Sequence, residues 1–251
     1  MLSFATLAGV VRPRLLLTSG GLETVQLREQ FQRMLAAARA ERPQATGPPR
    51  VCCVVTAQMA PSGGASTRSP GELRRRRWAD AKKKSKLLAA ELGCEFESVD
   101  AASPNFPPAK LEAAVESCDC VWVTGGNTFY LWHHMRASGL DQMVKHRLTQ
   151  PGAFYFGQSA GSIVAGRSVS TAFWKGWDDP SAAPETDWDN PENLAGMALA
   201  DRSFFPHYDP QWADLVERRR EELGHPVVAL EDAGPAYVVG DDDANGSVIG
   251  P

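Results

Sequence analysis

The sequence predicts an α/β protein built on a doubly wound, mostly parallel sheet with flanking helices. Short apolar runs alternate along the chain with longer segments of helical periodicity, which is the pattern of a parallel sheet and its crossover helices. Several of these runs end in glycine-rich turns, as strands do at the carboxyl edge of such a sheet. The chain has 251 residues, of which 43% are hydrophobic, enough for one substantial core. We therefore expect a single α/β domain over residues 1–251.

The predicted strands are short apolar runs bounded by glycine, proline and polar turn residues. In chain order they are residues 15–18, 51–56, 94–99, 120–123, 153–156, a short run ending at His207, 227–230 and 236–239.

The predicted helices carry apolar residues at helical spacing, which places those residues on one face. In the first helix Leu27, Phe31 and Leu35 follow this spacing, and Pro43 marks the end. The predicted helices are residues 23–41, 71–92, 111–117, 129–135, 140–148 and 211–223, with a further helix starting after Gly161.

Residues 168–204 have weak periodicity and are crowded with tryptophan, proline and acidic residues. A long irregular segment inside a compact domain is usually functional. We therefore expect a lid or active-site loop here, over the end of the sheet.

The composition of the chain indicates which kinds of partner, cofactor and cellular compartment to expect. The net charge is −4 with both signs interspersed, so nothing indicates nucleic acid or a membrane surface as a partner. The five cysteines lack zinc-site spacing and are typical of reduced core thiols in a cytoplasmic protein. The first 22 residues contain arginine and no acid, so organellar targeting stays open. We expect no metal and no organic cofactor.

The most informative motif is Gly-Gln-Ser-Ala-Gly at residues 157–161, directly after an apolar strand. A serine at a sharp strand-to-helix turn is exposed at the sheet edge, and small neighbours allow the tight turn. Ser159 is therefore the candidate nucleophile, and the N–H of Ala160 can donate to an oxyanion. The alternative is that Ser159 only caps a helix.

A second glycine-rich turn, Thr-Gly-Gly-Asn-Thr at residues 124–128, also follows a predicted strand. Neighbouring parallel strands bring their carboxyl ends to one edge, so Gly126 is a candidate for the second oxyanion donor. The alternative is a plain turn with Asn127 or Thr128 as the N-cap of the next helix.

His207 is the candidate general base, because of the five histidines it alone follows a short apolar run and precedes a turn. An acid must then orient the imidazole. The segment between Ser159 and His207 offers five aspartates, and their sequence positions do not distinguish them: Asp178, Asp179, Asp187, Asp189 and Asp201.

Together the G-G-N-T-F, G-x-S-A-G and P-H-Y segments resemble the dipeptidase E (α-aspartyl dipeptidase) family of serine peptidases, which has a class I glutamine amidotransferase-like fold. The resemblance implies a Ser-His-Asp triad of Ser159, His207 and Asp178, with Asp179 as a competitor for the acid. It implies oxyanion donors at Gly126 and Ala160. The substrate-binding candidates are Asn127 and, on the predicted helix after His207, Arg219.

Three features depart from the family pattern. The segment between the acid and His207 is longer, the substrate-carboxylate arginine has no clean equivalent, and the final strands are expected to be absent or divergent.

We expect a serine peptidase that hydrolyses dipeptides with an N-terminal aspartate through an acyl-enzyme. Its partner would be a short peptide, and a homodimer stays open. A cyanophycinase-like β-aspartyl peptidase or isopeptidase is the alternative enzyme. A non-catalytic binding module of the same fold is the alternative from a different class, and an α/β-hydrolase esterase fits the Ser159–His207 spacing less well.

Overall fold

A computed structural model describes residues 14–61, 68–240 and 246–249 of the chain. The arginine-containing segment up to residue 13, on which the targeting alternative depends, lies outside the described residues.

Nine strands form two sheets among the described residues. The strands are β1 (Leu15–Thr18), β2 (Arg50–Val54), β3 (Glu95–Val99), β4 (Cys120–Val123), β5 (Phe154–Gln158), β6 (Ser203–Tyr208), β7 (Val227–Glu231), β8 (Ala236–Val239) and β9 (Ser247–Ile249). The main sheet has the order β3-β2-β4-β5-β1-β8-β9, and β6 pairs with β7 in a separate parallel ladder. Among the strands of the described residues only the β1–β8 and β8–β9 pairs are antiparallel, so the prediction of a mostly parallel α/β sheet is confirmed.

The helices follow the predicted segments, with small shifts at their ends. They are α1 (Val25–Ala40), α2 (Pro70–Leu92), α3 (Pro108–Glu116), α4 (Thr128–Ser138), α5 (Leu140–Leu148), α6 (Ala160–Ala165) and α7 (Ala213–Leu223). Residues 168–204 hold short 3₁₀ turns at Ser170–Phe173, Pro180–Ala182 and Pro191–Leu194 in place of longer elements. None of the helices in the described ranges is both long enough and apolar enough to cross a bilayer.

Two apolar clusters cover the faces of the main sheet. On one face Phe31 of α1 packs edge-on against Phe154 and Phe156, and Trp122 meets Phe156 at 4.4 Å between ring centroids. This aromatic packing fixes β4 and β5 side by side beneath the helices.

Strands β4, β5 and β1 are neighbours, and their carboxyl ends meet at one edge of the sheet. Val123 pairs with Gly157, and Thr18 pairs with Gln158. The segments that follow these strands are therefore brought together, as expected for a parallel sheet.

The sequence did not predict β9, and final strands were expected to be absent or divergent. In the structure β8 pairs with β1, and β9 extends the sheet beyond it.

Candidate active site

Ser159 lies between β5 and α6 in a strained turn, with φ of 50° and ψ of −110°. Its backbone N–H donates to the carbonyl of Thr18 over 3.0 Å, which ties the turn to β1. Gly161 packs so closely that a Cβ there would lie 2.0 Å from the carbonyl oxygen of Val123. Small residues are therefore required for the serine to stand exposed at the edge of the sheet.

His207 presents its imidazole to this serine, with 2.8 Å between Nε2 and Ser159 Oγ. The histidine lies at a bulge near the end of β6, where the register shifts between Pro206 and Tyr208. Its φ is 55°, in the left-handed region that residues other than glycine seldom adopt. A bulge of this kind redirects one side chain away from the strand's ordinary alternation.

The acid that contacts the imidazole is Asp232, which follows β7. Its Oδ1 lies 2.7 Å from His207 Nδ1. The hydroxyl of Ser19, at the end of β1, donates to the same Oδ1 over 2.5 Å. With Nδ1–H donating to Asp232, Nε2 is left to accept the proton of Ser159, which is the tautomer that a general base needs.

Asp232 therefore makes the contact with the His207 imidazole that we expected Asp178 to make. Asp178 lies in the same cavity as Ser159, but its Oδ2 accepts the backbone N–H of Thr128 over 3.1 Å. The competitor Asp179 caps a 3₁₀ turn, where its Oδ1 accepts the N–H of Ser181 over 2.9 Å. The hydrogen bonds of both carboxylates are thus made to backbone N–H groups and not to the imidazole.

Gly126 and Ala160, the predicted oxyanion donors, flank the serine. A Cβ on Gly126 would lie 2.4 Å from the carbonyl oxygen of Ala57, so only glycine fits, and its φ is 138°. Gly126 lines the cavity that contains Ser159. Ala160 is the residue after the serine and the first of α6. Their roles as donors remain predictions that this placement permits.

The two predicted substrate-binding side chains are engaged elsewhere. Asn127 caps α4 by accepting the N–H of Tyr130 over 2.8 Å and donates to the carbonyl of Asp179. Arg219 is half-exposed on α7, where it donates to Glu222 over 2.8 Å. Neither side chain is among those lining the Ser159 cavity within the described ranges.

The cavity around Ser159 has a volume of about 240 Å³. Its walls combine the serine and histidine with residues from the 168–204 segment and with apolar side chains. The lining residues are Gly126, Ser159, Ile163, Thr171, Ala172, Lys175, Trp177, Asp178, Phe205, Pro206 and His207. A cavity of this size accommodates a small side chain or a short peptide end.

The two carboxylates differ in electrostatic environment. Burial acts to raise the pKa of Asp232, but hydrogen bonds from Ser19 and His207 leave that pKa below its ordinary value. Burial raises the pKa of Asp178 above its ordinary value, although the Thr128 amide acts in the opposite direction. The surroundings thus favour the charged form of Asp232 and disfavour that of Asp178.

Lys175 is the lysine in the cavity wall. Its Nζ donates to the carbonyl of Pro206 and, over 2.6 Å, to the carbonyl of His207. Burial lowers the pKa of Lys175 from 10.5 to about 8, although Asp232 and Asp178 act to raise it.

Sequence reasoning missed Asp232, Ser19 and Lys175. The aspartates that the sequence offered lie between the serine and the histidine, whereas Asp232 follows the next predicted strand. An acidic residue at the end of an apolar strand is a signal that could have found it. Within the described part of the chain, no group of three or more His, Cys, Asp or Glu side chains could hold a metal ion.

Ser159, His207 and Asp232 are thus arranged in space as the serine, histidine and acid of serine hydrolases are. The model of peptidase family S51 matches residues 77–245, and the chain belongs to this family.

Individual relatives support this assignment. A Drosophila melanogaster protein named "Probable alpha-aspartyl dipeptidase" is 30% identical over 140 residues, covering 52% of this chain and 54% of that protein. Peptidase E of Shewanella amazonensis is 28% identical over 138 residues, or 51% of this chain and 54% of the relative. These matches thus span about half the length of the curated relatives. The crystal structure of a peptidase from an acI-B1 Actinobacterium shares the fold, with a TM-score of 0.68 at 16% identity over 97% of this chain and 89% of the other.

Proposed function

We propose that this protein is a serine-type dipeptidase that cleaves short peptides, with α-aspartyl dipeptides as the first substrate class to test. The observation that carries the proposal is the continuous contact from Ser159 Oγ to His207 Nε2 at 2.8 Å and from His207 Nδ1 to Asp232 at 2.7 Å. Membership of a peptidase family supports acyl transfer from a peptide. The aspartyl preference is supported by the name of the Drosophila relative.

In the proposed reaction, His207 Nε2 takes the proton of Ser159 as the serine oxygen attacks the scissile carbonyl carbon. The N–H groups of Gly126 and Ala160 stabilise the oxyanion. His207 then gives the proton to the leaving amine as the C–N bond breaks, which leaves an ester on Ser159. Asp232 holds the imidazole and stabilises its charged form.

Water completes the cycle. It attacks the ester carbonyl and gives a proton to His207, and the serine oxygen recovers that proton as the acid product leaves. The 168–204 segment contributes Thr171, Ala172, Lys175, Trp177 and Asp178 to the cavity wall. We assign this segment the role of a lid that limits the site to short peptides.

The test is hydrolysis of Asp-Leu, β-Asp-Leu and Ala-Leu by the wild type, by Ser159→Ala and by Ser85→Ala. Ser85 is a buried serine of α2 and serves as the control for loss of a hydroxyl. We expect cleavage of Asp-Leu that Ser159→Ala reduces by about 10⁴-fold or more and that Ser85→Ala retains.

Other outcomes would change the proposed specificity or overturn the proposed function. Preference for β-Asp-Leu would replace the dipeptidase proposal by a β-aspartyl peptidase. Equal cleavage of Ala-Leu would contradict the aspartyl preference alone. Cleavage of none of the three, or cleavage that survives Ser159→Ala, would overturn the proposal.

A further inference from the structure

The bulge in β6 leaves one residue without strand partners. Pro206 pairs with Leu230 and Tyr208 pairs with Glu231, so His207 is the extra residue between two paired positions. The backbone N–H and C=O of a bulged residue drop out of the strand ladder and need other partners. How these two groups are satisfied decides where the imidazole is held.

Two side chains from distant parts of the chain supply those partners. Ser19 Oγ accepts the N–H of His207 over 2.7 Å. Lys175 Nζ donates to the His207 carbonyl over 2.6 Å and also to the carbonyl of Pro206. The histidine backbone is thus held from both sides by side chains in place of a neighbouring strand.

Ser19 also reaches the acid. Its hydroxyl donates to Asp232 Oδ1 over 2.5 Å and lies 3.2 Å from His207 Nδ1. Ser19 is 1% exposed, so water does not readily replace these bonds. One buried hydroxyl therefore fixes both the histidine backbone and the carboxylate that orients its ring.

Lys175 is itself fixed by aromatic rings. Its Nζ lies 4.3 Å from the ring centroid of Phe205, 4.4 Å from that of Trp177 and 5.8 Å from that of Trp212. Cation–π contacts of this kind favour the charged ammonium and restrict its rotamers. The ammonium is therefore aimed at the two carbonyls of the bulge.

We propose that Ser19 and Lys175 are positioning residues that hold His207 in its bulged conformation and so keep its imidazole against Ser159. This inference rests on the proposed function, because it concerns the base of the same reaction. It adds two residues that no sequence motif indicated.

The contact between the Lys175 ammonium and the carbonyls of the bulge is sensitive to pH. The titratable groups that face Lys175 are Asp178 on its own segment, Asp232 after β7 and His207 itself. Burial brings the pKa of Lys175 down to about 8, so the ammonium loses its charge as the pH rises through that value. The carbonyls of the bulge then lose their charged donor.

The test measures the rate at which a fluorophosphonate labels Ser159, because this reaction needs the histidine and no peptide substrate. The Ser159 Oγ–P bond forms, the P–F bond breaks, fluoride leaves and the serine proton passes to His207. Failure of the dipeptide assay therefore leaves this test intact.

The variants are Ser19→Ala, Lys175→Met and Lys175→Arg, with Ser85→Ala and Lys110→Met as matched controls. Lys110 likewise lies over a ring, 4.4 Å from the centroid of Phe106, and donates to a carbonyl, but it lies outside the Ser159 cavity. Melting temperatures establish that each variant is folded.

We expect Ser19→Ala and Lys175→Met to slow labelling by about 10- to 100-fold, part of the contribution of a general base. Both controls should label at the wild-type rate, and Lys175→Arg should recover most of the loss. Above pH 8 the wild-type rate should fall, whereas the Lys175→Arg rate should not, because guanidinium keeps its charge.

Folded Ser19→Ala and Lys175→Met proteins that label as fast as the controls would overturn the inference. So would identical alkaline profiles for the wild type and Lys175→Arg. A wild type that does not label would overturn the proposed nucleophile, and the inference with it.

Discussion

At the scale of single residues, both reacting side chains stand on strained backbone. Ser159 has φ of 50° and His207 has φ of 55°. Such conformations cost about 1–3 kcal/mol each and persist only where the surroundings hold them. Here the Ser159 N–H is held by β1, and the His207 N–H is held by Ser19. Of the four non-glycine residues with positive φ among the described residues, two are thus the ones to which we assign the chemistry, and the other two are Ala198 and Ala233.

Asp178→Asn should stabilise the fold at neutral pH. Burial raises the pKa of Asp178, so the native state favours its protonated form and ionisation costs stability. This cost is absent below about pH 3.9, where the unfolded chain also holds the proton, and it grows as the pH rises through the raised native pKa. The melting temperature of Asp178→Asn should exceed that of the wild type at pH 7, and the difference should shrink as the pH falls towards 4.

Asp179→Asn is the matched control for this prediction. Hydrogen bonds from Ser181 lower the pKa of Asp179, so its ionised form is the one that the native state favours. Asp179→Asn should therefore not raise the melting temperature at pH 7. A lower melting temperature for Asp178→Asn than for Asp179→Asn would contradict the account.

Some residues of the site could be predicted from the sequence, and others could not. Ser159 and His207 stand out locally, because each follows an apolar strand and precedes a turn. Asp232 also follows an apolar strand, but its contact with His207 depends on the pairing of β6 with β7, which no local pattern gives. Ser19 and Lys175 depend on a bulge that no local pattern indicates.

At the scale of elements, the turn between β5 and α6 is the tightest part of the site. Tyr155 donates from its hydroxyl to the carbonyl of Gly161 over 2.6 Å. The single hydroxyl proton of Ser162 is shared between the carbonyls of Thr18, at 2.7 Å, and Gly157, at 2.9 Å. Helix α6 therefore packs against the strands through backbone contact and leaves no space for a side chain at Gly161.

Gly161→Ala should destabilise the protein by about 2–4 kcal/mol, because the added Cβ overpacks this contact. A Cβ there would lie 2.0 Å from the Val123 carbonyl oxygen. For a chain of this size the melting temperature should fall by about 4–16 °C, measured by circular dichroism.

Gly71→Ala is the control for that substitution. Gly71 lies in α2, and the nearest atom to a Cβ there is a side-chain nitrogen of Arg75 at 3.7 Å. Its melting temperature should stay within about 2 °C of the wild type, since alanine fits an exposed helix well. Equal effects of the two substitutions would show that the turn tolerates a side chain.

The elements themselves were largely predictable, because periodicity is a local property of the sequence. Predicted and observed helices differ by a few residues at their ends, as for residues 111–117 against α3 (Pro108–Glu116). Strand β9 was missed because it is three residues long and two of these are exposed. The 3₁₀ turns of the 168–204 segment have no periodic signal and take their place from tertiary contacts.

At the scale of the whole molecule, the sheet order places the carboxyl ends of three neighbouring strands around one site. Strand β5 lies between β4 and β1 and carries the nucleophile. Ser19 directly follows β1, and Gly126 lies in the turn that follows β4. The base and its acid come from the separate β6–β7 pair, so the site requires that pair to be docked on the main sheet.

The reactivity of the five cysteines towards a thiol reagent can be used to test the packing of the whole fold. All are free and buried, and burial raises the pKa of Cys53 and Cys118 to about 12 and that of Cys94 to about 11. Because the thiolate is the reactive form, a disulfide reagent at pH 8 should label less than about one thiol per native chain. All five should react after denaturation. Rapid labelling of the native protein would contradict this packing.

The proposed mechanism requires Ser159, His207 and Asp232 to act as one catalytic unit. It is tested most directly by comparing kcat of Asp232→Asn with kcat of Asp178→Asn on a cleaved dipeptide. We expect Asp232→Asn to lower kcat by about 10³- to 10⁴-fold, because the favoured histidine tautomer and the charge beside it are lost. Asp178→Asn should lower kcat by less than about tenfold. The reverse order, with Asp178→Asn nearly inactive and Asp232→Asn close to wild type, would contradict the assignment of the acid.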